Sequence, residues 1–503
     1  MYWGLSLVKD QKGKQRVSTG ISPSGPIHLG NLREILTGDI IYKSLVLSEK
    51  DASFIYLCDD IDPLRKVYPF LPESYSAHVG KPLRDIPAPA GDLAYSEYFL
   101  APFLKSIETL DVKPEVIRTG QLYAEGKFGE IIDLMIKRKE EIQNILQNIS
   151  GRELEKRWFP YNPKCSKCGR INSAIPYEYS DGFVYYKCAC GYEGKSDIYK
   201  DQGKLPWRLE WPAKWKILGV TVEPFGKDHG TQGGSYDTGK AISEIILNYP
   251  APLPQMFERI LLKGKGAMHS STGVNIPATE ILDFAPPEIV RYMMARVPPS
   301  RHIEFDPEAG FLNLMDEFER MIRLGSENKL DEDQRVLLKI SATEKSLDDL
   351  PDYRHLTTLV QIYSKDEQIK NVLQRSGKRY SDEILALRIK QARFWVDHYA
   401  PESSKFMVSG ETAPVSLNEL EKKVICNFLE NIDSMEGWNA DLIHEAAREA
   451  IGRSSLTPSE GFVALYKAII GKERGPRIGF FLESMERNKV KKRLSFICGV
   501  QNE

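Results

Sequence analysis

The sequence predicts an α/β protein: a doubly wound parallel sheet, interrupted by a small cysteine-rich module and followed by an all-helical region. Three observations carry that expectation. Within residues 1–150 and 207–250, short continuous apolar runs alternate with stretches of helical periodicity, as buried strands and their crossover helices require. Between them, residues 151–206 break the rhythm and hold four of the seven cysteines. From about Leu312 onward strand patterns disappear, and apolar residues recur at three- and four-residue spacing.

Arg16 to Ile21 reads as the first strand. It runs into Gly20-Ile21-Ser22-Pro23-Ser24-Gly25-Pro26-Ile27-His28-Leu29-Gly30-Asn31, after which Leu32, Ile35, Leu36 and Ile40 mark one face of a helix. Pro26 suits the first turn of that helix, where a missing N–H costs nothing. The strand, the loop through Pro23, Ser24 and Gly25, and the helix N-terminus aim N–H groups and a partial positive charge at one point. That geometry favours a phosphate. His28 and Asn31 are expected in the first turn, placed to donate to a phosphate as negative charge builds up on it. Gly30 leaves the backbone bare, so that a flat base can lie against it. A lone His-x-Gly is ordinarily a structural turn with a surface histidine; the complete string is far more specific. It resembles the His-Ile-Gly-His signature of the class I aminoacyl-tRNA synthetases in the form that ends in Asn, and more closely the class I lysyl-tRNA synthetases. The resemblance implies a Rossmann-type nucleotide-binding catalytic domain that activates L-lysine with ATP and Mg2+ and transfers it to tRNA(Lys). It also places Pro23, Ser24, Gly25, His28, Gly30 and Asn31 around ATP, and Gly20 and Ser22 beside the lysine α-amino group.

Bulk properties set bounds on this reading. With 42% apolar residues, 27% charged residues and a net charge of −2, nucleic-acid binding must rest on local basic patches rather than on a global field. The first sixteen residues lack a signal-type apolar core, and no run of 18 apolar residues occurs, so secretion and membrane spanning are not expected. An odd cysteine count with one tight cluster argues for reduced, cytoplasmic thiols and a metal, and against a disulfide framework. Cys58 and Cys426 read as small core residues.

Ala52 to Cys58 is a continuous apolar run that ends in Asp59-Asp60-Ile61-Asp62. Acids at the carboxyl end of a parallel strand fit either a ligand site or a solvated turn. Residues 63–91, rich in Pro, Gly and Tyr, read as an irregular insertion. A helix over Ser96–Leu110, a strand over Glu115–Thr119 and a helix over Phe128–Ile149 follow. Residues 151–206 hold Cys165-Ser-Lys-Cys168-Gly and Cys188-Ala-Cys190-Gly, with nineteen residues between Cys168 and Cys188. Two thiolate pairs, each followed by glycine, match the knuckles of a structural zinc ribbon with no open coordination position. Tyr177, Tyr179, Phe183, Tyr185 and Tyr186 supply the strands between them. The second pair is Cys-x-Cys rather than Cys-x-x-Cys.

At Trp207 the α/β pattern resumes with a helix start through Trp215, a strand over Val220–Phe225 and a helix over Asp237–Leu247. In class I synthetases a Gly-x-Asp pattern here holds the ATP ribose, so the resemblance assigns Gly226 and Asp228 to ATP, and Trp211 and His229 to the lysine pocket. An ε-ammonium out of bulk water needs a carboxylate; Asp60 and Glu210 are both candidates.

Residues 251–311 are expected to contact the tRNA stem and to carry the second class I motif, Lys-Met-Ser-Lys-Ser in its usual form. The corresponding stretch is Lys263-Gly-Lys265-Gly-Ala267-Met268-His269-Ser270-Ser271-Thr272-Gly273. Met268 (toward ATP), Ser270 and Ser271 match, but Ala267 and Thr272 stand where two lysines are expected. Either Lys265 swings in on its Gly-Lys-Gly hinge and supplies the charge, or the loop is degenerate. No second metal is expected, since residues 85–97 hold neither Cys nor His.

Residues 312–503 resemble the helical module that lysyl and glutamyl class I enzymes use for anticodons; physics alone allows a dimerisation unit equally. Lys472, Arg474 and Arg477, with Lys489, Lys491, Lys492 and Arg493, offer cations for phosphates. Phe394, Trp395, Tyr399, Phe480 and Phe481 offer rings for stacking, although helical spacing makes most of them core. A monomer is favoured. The rival readings are a catalytically degenerate paralogue that binds tRNA or adenylate, a glutamate-type class I synthetase, and a small-molecule adenylyltransferase.

Overall fold

The computed structural model describes every residue except 152, 156, 157, 268–275, 344–349, 376, 378 and 501–503. The chain forms two compact units. One comprises Met1–Leu282, Pro287–Phe305 and Leu324–Lys345; the other comprises Asp283–Pro286, Asp306–Arg323 and Ser346–Glu503.

The first unit is built on five parallel strands: β1 (Gln15–Ile21), β2 (Ala52–Cys58), β3 (Glu115–Arg118), β4 (Val222–Gly226) and β5 (Leu253–Phe257). Their order is β5-β4-β1-β2-β3. β1 pairs with β2 in parallel along its whole length, from Gln15 opposite Ala52 to Ile21 opposite Cys58. The strand order therefore reverses between β1 and β4, and the crevice outside their carboxyl ends is where such sheets bind ligands. β5 was not expected. It is an edge strand carrying Pro254, and proline inside a run speaks against a strand everywhere but at an edge.

Helix α1 (Leu29–Leu47) leaves β1 through the Ser/Pro/Gly loop and is buried along most of its length by Leu32, Ile35, Leu36, Ile40, Ile41 and Leu45. It also buries charge. Asp39 accepts from Arg291 of the helix Pro287–Ala295 at 2.7 Å, and that guanidinium also donates to the carbonyls of Leu110 and Ile340. Breaking such a pair by removing one partner costs about 3–5 kcal/mol, so α1 is fixed against its neighbours. The helix expected over Phe128–Ile149 is two, Gly129–Lys137 and Lys139–Ser150. Arg138 breaks it and donates to Glu141 and to the carbonyls of Ile245 and Ile246. The apolar stripe continues across the break, so periodicity does not reveal it. The helix expected over Asp237–Leu247 begins at Ser235 and loosens into a π-helical turn over Ile242–Ile246.

The cysteine-rich module contributes an antiparallel sheet of Ala174–Ser180, Phe183–Cys188 and Glu193–Asp197. The second unit has no strand among its described residues. Its core joins Val424, Ile425, Phe428, Ile443, Ala447, Leu465, Phe481 and Leu494, from the helices Glu419–Ser434, Ala440–Gly452, Pro458–Ile470, Ile478–Glu483 and Arg487–Cys498. The last helix escapes the sequence reading because Arg487, Lys489, Lys491, Lys492 and Arg493 swamp its apolar positions, Val490 and Leu494. No described helix is long and apolar enough to cross a membrane.

One expectation is overturned here. Cys426 is not a lone core thiol but forms a disulfide with Cys498, 72 residues away, with Cα atoms 5.7 Å apart. Packing of Glu419–Ser434 against Arg487–Cys498 brings the two together, which linear spacing hides. Loop-closure entropy for a cross-link of that span is about 4 kcal/mol. Urea unfolding of the chain should therefore shift to lower denaturant with dithiothreitol or in Cys426→Ser; an unchanged midpoint would show that the bond carries no stability.

Candidate active site

The mouth of α1 is built by a reciprocal cap. His28 is the N-cap residue, with extended backbone, and sits one position before the first turn in which it was expected. Its Nδ1 accepts the Gly30 N–H at 3.0 Å, while its own N–H donates to Asn31 Oδ1 at 3.1 Å. Two consequences follow from donor chemistry. An accepting Nδ1 places the neutral ring's proton on Nε2, and an accepting Oδ1 leaves the Asn31 NH2 as the donating end. Gly30 has a sharper role than exposing the backbone: a Cβ there would lie 2.8 Å from His28 Cε1 and 2.9 Å from Nδ1. Only glycine lets the imidazole fold back.

Neighbouring segments hold the mouth in place. The Ser24 N–H donates to Ser22 O, and the Tyr95 hydroxyl to Ser24 O at 2.7 Å; Pro23 lies between these two serines. A Cβ on Gly25 would meet the Phe70 ring at 2.6 Å. Leu29 N–H donates to Ile276 O at 2.8 Å and Ala278 N–H to Ile27 O at 3.1 Å, so the chain returning from the second-motif loop is stitched to the mouth. Met268, Ser270 and Ser271 lie outside the described residues. Lys265 is exposed in the turn between the strand Ile260–Leu262 and Gly266–Ala267. It is flanked by Gly264 and Gly266 at φ +74° and +78°, left-handed values that glycine adopts without strain.

Below the mouth, at the carboxyl ends of β1 and β4, lies a cavity of about 480 Å3. Gly20, Ser22, Trp211 and His229, which the resemblance assigns to lysine, and Gly226, which it assigns to ATP, all line it, joined by Glu34, Asp59, Trp207, Lys214, Glu223 and Phe225. Trp207 stacks on Trp211 with centroids 5.0 Å apart, and His229 and Phe225 close the aromatic wall. Gly20 is pressed against β2, where a Cβ would stand 2.8 Å from Leu57 O, and its N–H donates to Glu34 at 2.9 Å. Burial pushes the Glu34 carboxyl up to about 7 and the Glu223 carboxyl up to about 8. Burial likewise holds His229 below its ordinary value.

The two carboxylates proposed for the lysine ammonium do not line this cavity. Glu210 is fully buried and accepts from the Tyr123 hydroxyl, Lys204 and Lys214 at 2.8, 3.1 and 3.1 Å. Asp60 accepts the Gly120 N–H at 2.7 Å. Glu210 belongs to a buried charge network behind the end of β2. In it, Lys214 pairs with Asp59, Lys204 pairs with Asp62, and the Ser22 hydroxyl donates to Asp62 at 2.5 Å. Asp228 lies outside the cavity lining, and both its oxygens accept from Arg259, at 2.8 and 2.7 Å. Sequence reasoning missed Glu34, Lys214, Glu223 and Arg259. The available signal was an ionisable residue inside an otherwise apolar pattern, as Glu34 is on α1 and Glu223 is in β4.

The four cysteines of the ribbon converge as expected. Their sulfurs all lie within 4.8 Å of one another, with Cys165–Cys190 at 3.7 Å and Cys168–Cys188 at 3.6 Å. A tetrahedral ion with sulfur ligands at its usual distance sets sulfurs about 3.8 Å apart, so the Cys-x-Cys knuckle does not spoil the fit. Gly169 and Gly191 turn the knuckles at φ +73° and +81°.

The geometry of the cap makes one variant decisive. Gly30→Ala should push the imidazole off its seat and lower nucleotide-dependent activity by about 10²–10³-fold, with the melting temperature nearly unchanged. Activity within threefold of wild type would show that the folded-back ring is not required.

Comparison with known proteins agrees with this geometry. The family described as tRNA synthetases class I (K) matches residues 5–344. A protein of Picrophilus torridus named lysine–tRNA ligase is 51% identical, covering 99% of both chains. Proteins of the same name from Thermoplasma volcanium and Archaeoglobus fulgidus are 48% and 42% identical, covering 99% and 98% of this chain and 99% of each relative. With a capped helix mouth at the β1/β4 switch point and a family match over most of its length, the chain belongs to the class I tRNA synthetases of the K type.

Proposed function

We propose that this protein is a lysine–tRNA ligase that forms lysyl-adenylate from L-lysine and Mg-ATP and transfers the lysyl group to tRNA(Lys). The observation that carries the reading is the intact His28–Asn31 cap over an acid-rich, aromatic-walled crevice, in a chain whose near-full-length relatives bear that name.

The lysine carboxylate attacks the α-phosphorus of ATP, and pyrophosphate leaves. A ribose hydroxyl at the tRNA 3′ end then takes the lysyl group, and AMP leaves with the bond electrons. Little covalent protein chemistry is needed; positioning and charge stabilisation suffice. His28 Nε2 and the Asn31 amide donate to the phosphates. Asp228 exchanges its Arg259 partner for the ribose hydroxyls. Lys265, between its two glycines, supplies cationic charge to pyrophosphate where Ala267 and Thr272 cannot. The four cysteines hold one zinc ion, which fixes the ribbon and takes no part in the reaction.

The second unit supplies the anticodon seat. A cavity of about 860 Å3 is lined by His355, Lys405, Arg474, Arg477 and Phe480, among others. Phe480 is 56% exposed, whereas Trp395 and Phe481 are buried core. Lys472 instead donates to the Glu402 and Lys405 carbonyls, Lys491 pairs with Asp433, and Arg493 is buried against Ala468 O. Arg474, Arg477 and Phe480 are thus the best-placed residues for a splayed base and its phosphates.

ATP–pyrophosphate exchange with each of the twenty amino acids should respond to lysine alone. His28→Ala should lower that rate by about 10²–10³-fold; a wild-type rate no higher than that of His28→Ala contradicts the reading. Replacing Arg474 and Arg477 by alanine should raise the KM for tRNA by about tenfold or more and flatten its salt dependence by about two phosphate contacts. An unchanged KM and slope would move the anticodon elsewhere.

A further inference from the structure

One carboxylate oxygen in the crevice has no more than a serine hydroxyl to answer it. Glu223 lies in β4 among apolar neighbours and is only 5% exposed. Its Oε1 accepts the Trp211 indole N–H at 2.8 Å. Its buried Oε2 and the hydroxyl of nearby Ser18 on β1 have no hydrogen-bond partner beyond each other. Native proteins seldom leave buried polar atoms so. A ligand that brings N–H groups into the crevice would satisfy both.

Of the other carboxylates that line the cavity, Asp59 meets a cation and a hydroxyl, and Glu34 is engaged through one oxygen. Asp59 accepts from Lys214 and, at 2.6 Å, from Thr119. Glu34 accepts from the Gly20 backbone. Trp207, Trp211 and Phe225 offer flat apolar walls to a methylene chain that runs inward from the Gly20 and Ser22 end of β1. Resting on the reading of lysine as substrate, we infer that Glu223 receives the ε-ammonium of the bound amino acid and sets the preference for lysine over an uncharged side chain of the same length. Ser18 provides a second acceptor for the same ammonium.

Burial holds the Glu223 carboxyl near 8, so at neutral pH the empty site carries it mostly protonated. The groups that face it are Ser18 on β1, Glu34 on α1, and Trp211 and Lys214 on the helix Trp207–Leu218. Glu34 raises its pKa; the other three lower it. An incoming ammonium ionises the carboxyl and expels its proton. An uncharged side chain leaves the proton in place.

The test compares lysine with norleucine, which keeps the chain and lacks the ammonium, in ATP–pyrophosphate exchange. A site built around a polar group rejects the analogue without it by about 10⁴-fold. Glu223→Gln keeps the volume and the acceptor for Trp211. It should lower kcat/KM for lysine by about 10²–10³-fold while that for norleucine and the KM for ATP stay within about threefold. Equal losses for both amino acids, or loss of the preference in Glu34→Gln but not in Glu223→Gln, would overturn the assignment. Calorimetry of the unmodified protein in buffers of different ionisation enthalpy gives a second arm that needs no variant. At pH 7 lysine should release more protons than norleucine, and equal release would overturn the assignment. If wild-type protein shows no lysine-dependent exchange, the functional reading itself fails; if that exchange is present and only the preference survives Glu223→Gln, this inference fails alone.

Discussion

Two hydrogen bonds, from the Gly30 N–H to His28 Nδ1 and from the His28 N–H to Asn31 Oδ1, set the tautomer and the amide orientation at the start of α1. Everything proposed for the nucleotide depends on that pair. The bonds are short-range, but what keeps them still is long-range. The helix behind them is buried, its Asp39 is locked to Arg291, and Ile276 and Ala278 bracket the mouth from the far side of the second-motif loop. A site that stabilises developing charge works best when its donors need no reorganisation, and here the fold supplies the rigidity.

Behind the crevice the same economy appears in the charges. Lys204 and Lys214 are buried with Asp59, Asp62 and Glu210, and Tyr123 donates to the last of these. Buried pairs are weak stabilisers against an apolar alternative, so their value lies in orientation. They anchor Ser22 and the end of β2, and they join Lys204, just after the ribbon, to the sheet. With those acids neutralised, the surplus carboxylates that face the cavity are Glu34 and Glu223. The pocket is thereby acidic without being flooded with negative charge.

The sheet, the ribbon and most helices were legible because their signals are local. β2 spans Ala52–Cys58 as its apolar run indicates, and the helix Pro458–Ile470 matches its apolar periodicity. Cysteine spacing alone brought Cys165, Cys168, Cys188 and Cys190 together. Illegible features depend on partners distant in sequence. The Cys426–Cys498 bond spans 72 residues, β5 hides behind Pro254, and Arg138 breaks a helix without interrupting the apolar stripe. In the candidate site, the lining by Gly20, Ser22, Trp211 and His229 followed from family likeness. Asp60 and Glu210 lie off the cavity lining, and sequence does not show this, because an acid that faces a crevice looks the same there as one that meets a buried lysine or a backbone N–H.

The most direct measurement is a crystal structure of the protein with a non-hydrolysable lysyl-adenylate analogue. The account predicts the phosphate mimic against His28 and Asn31, the ribose at Asp228 and the lysyl chain between Trp211 and Phe225. A ligand bound in another crevice, with the mouth of α1 left to water, would contradict it.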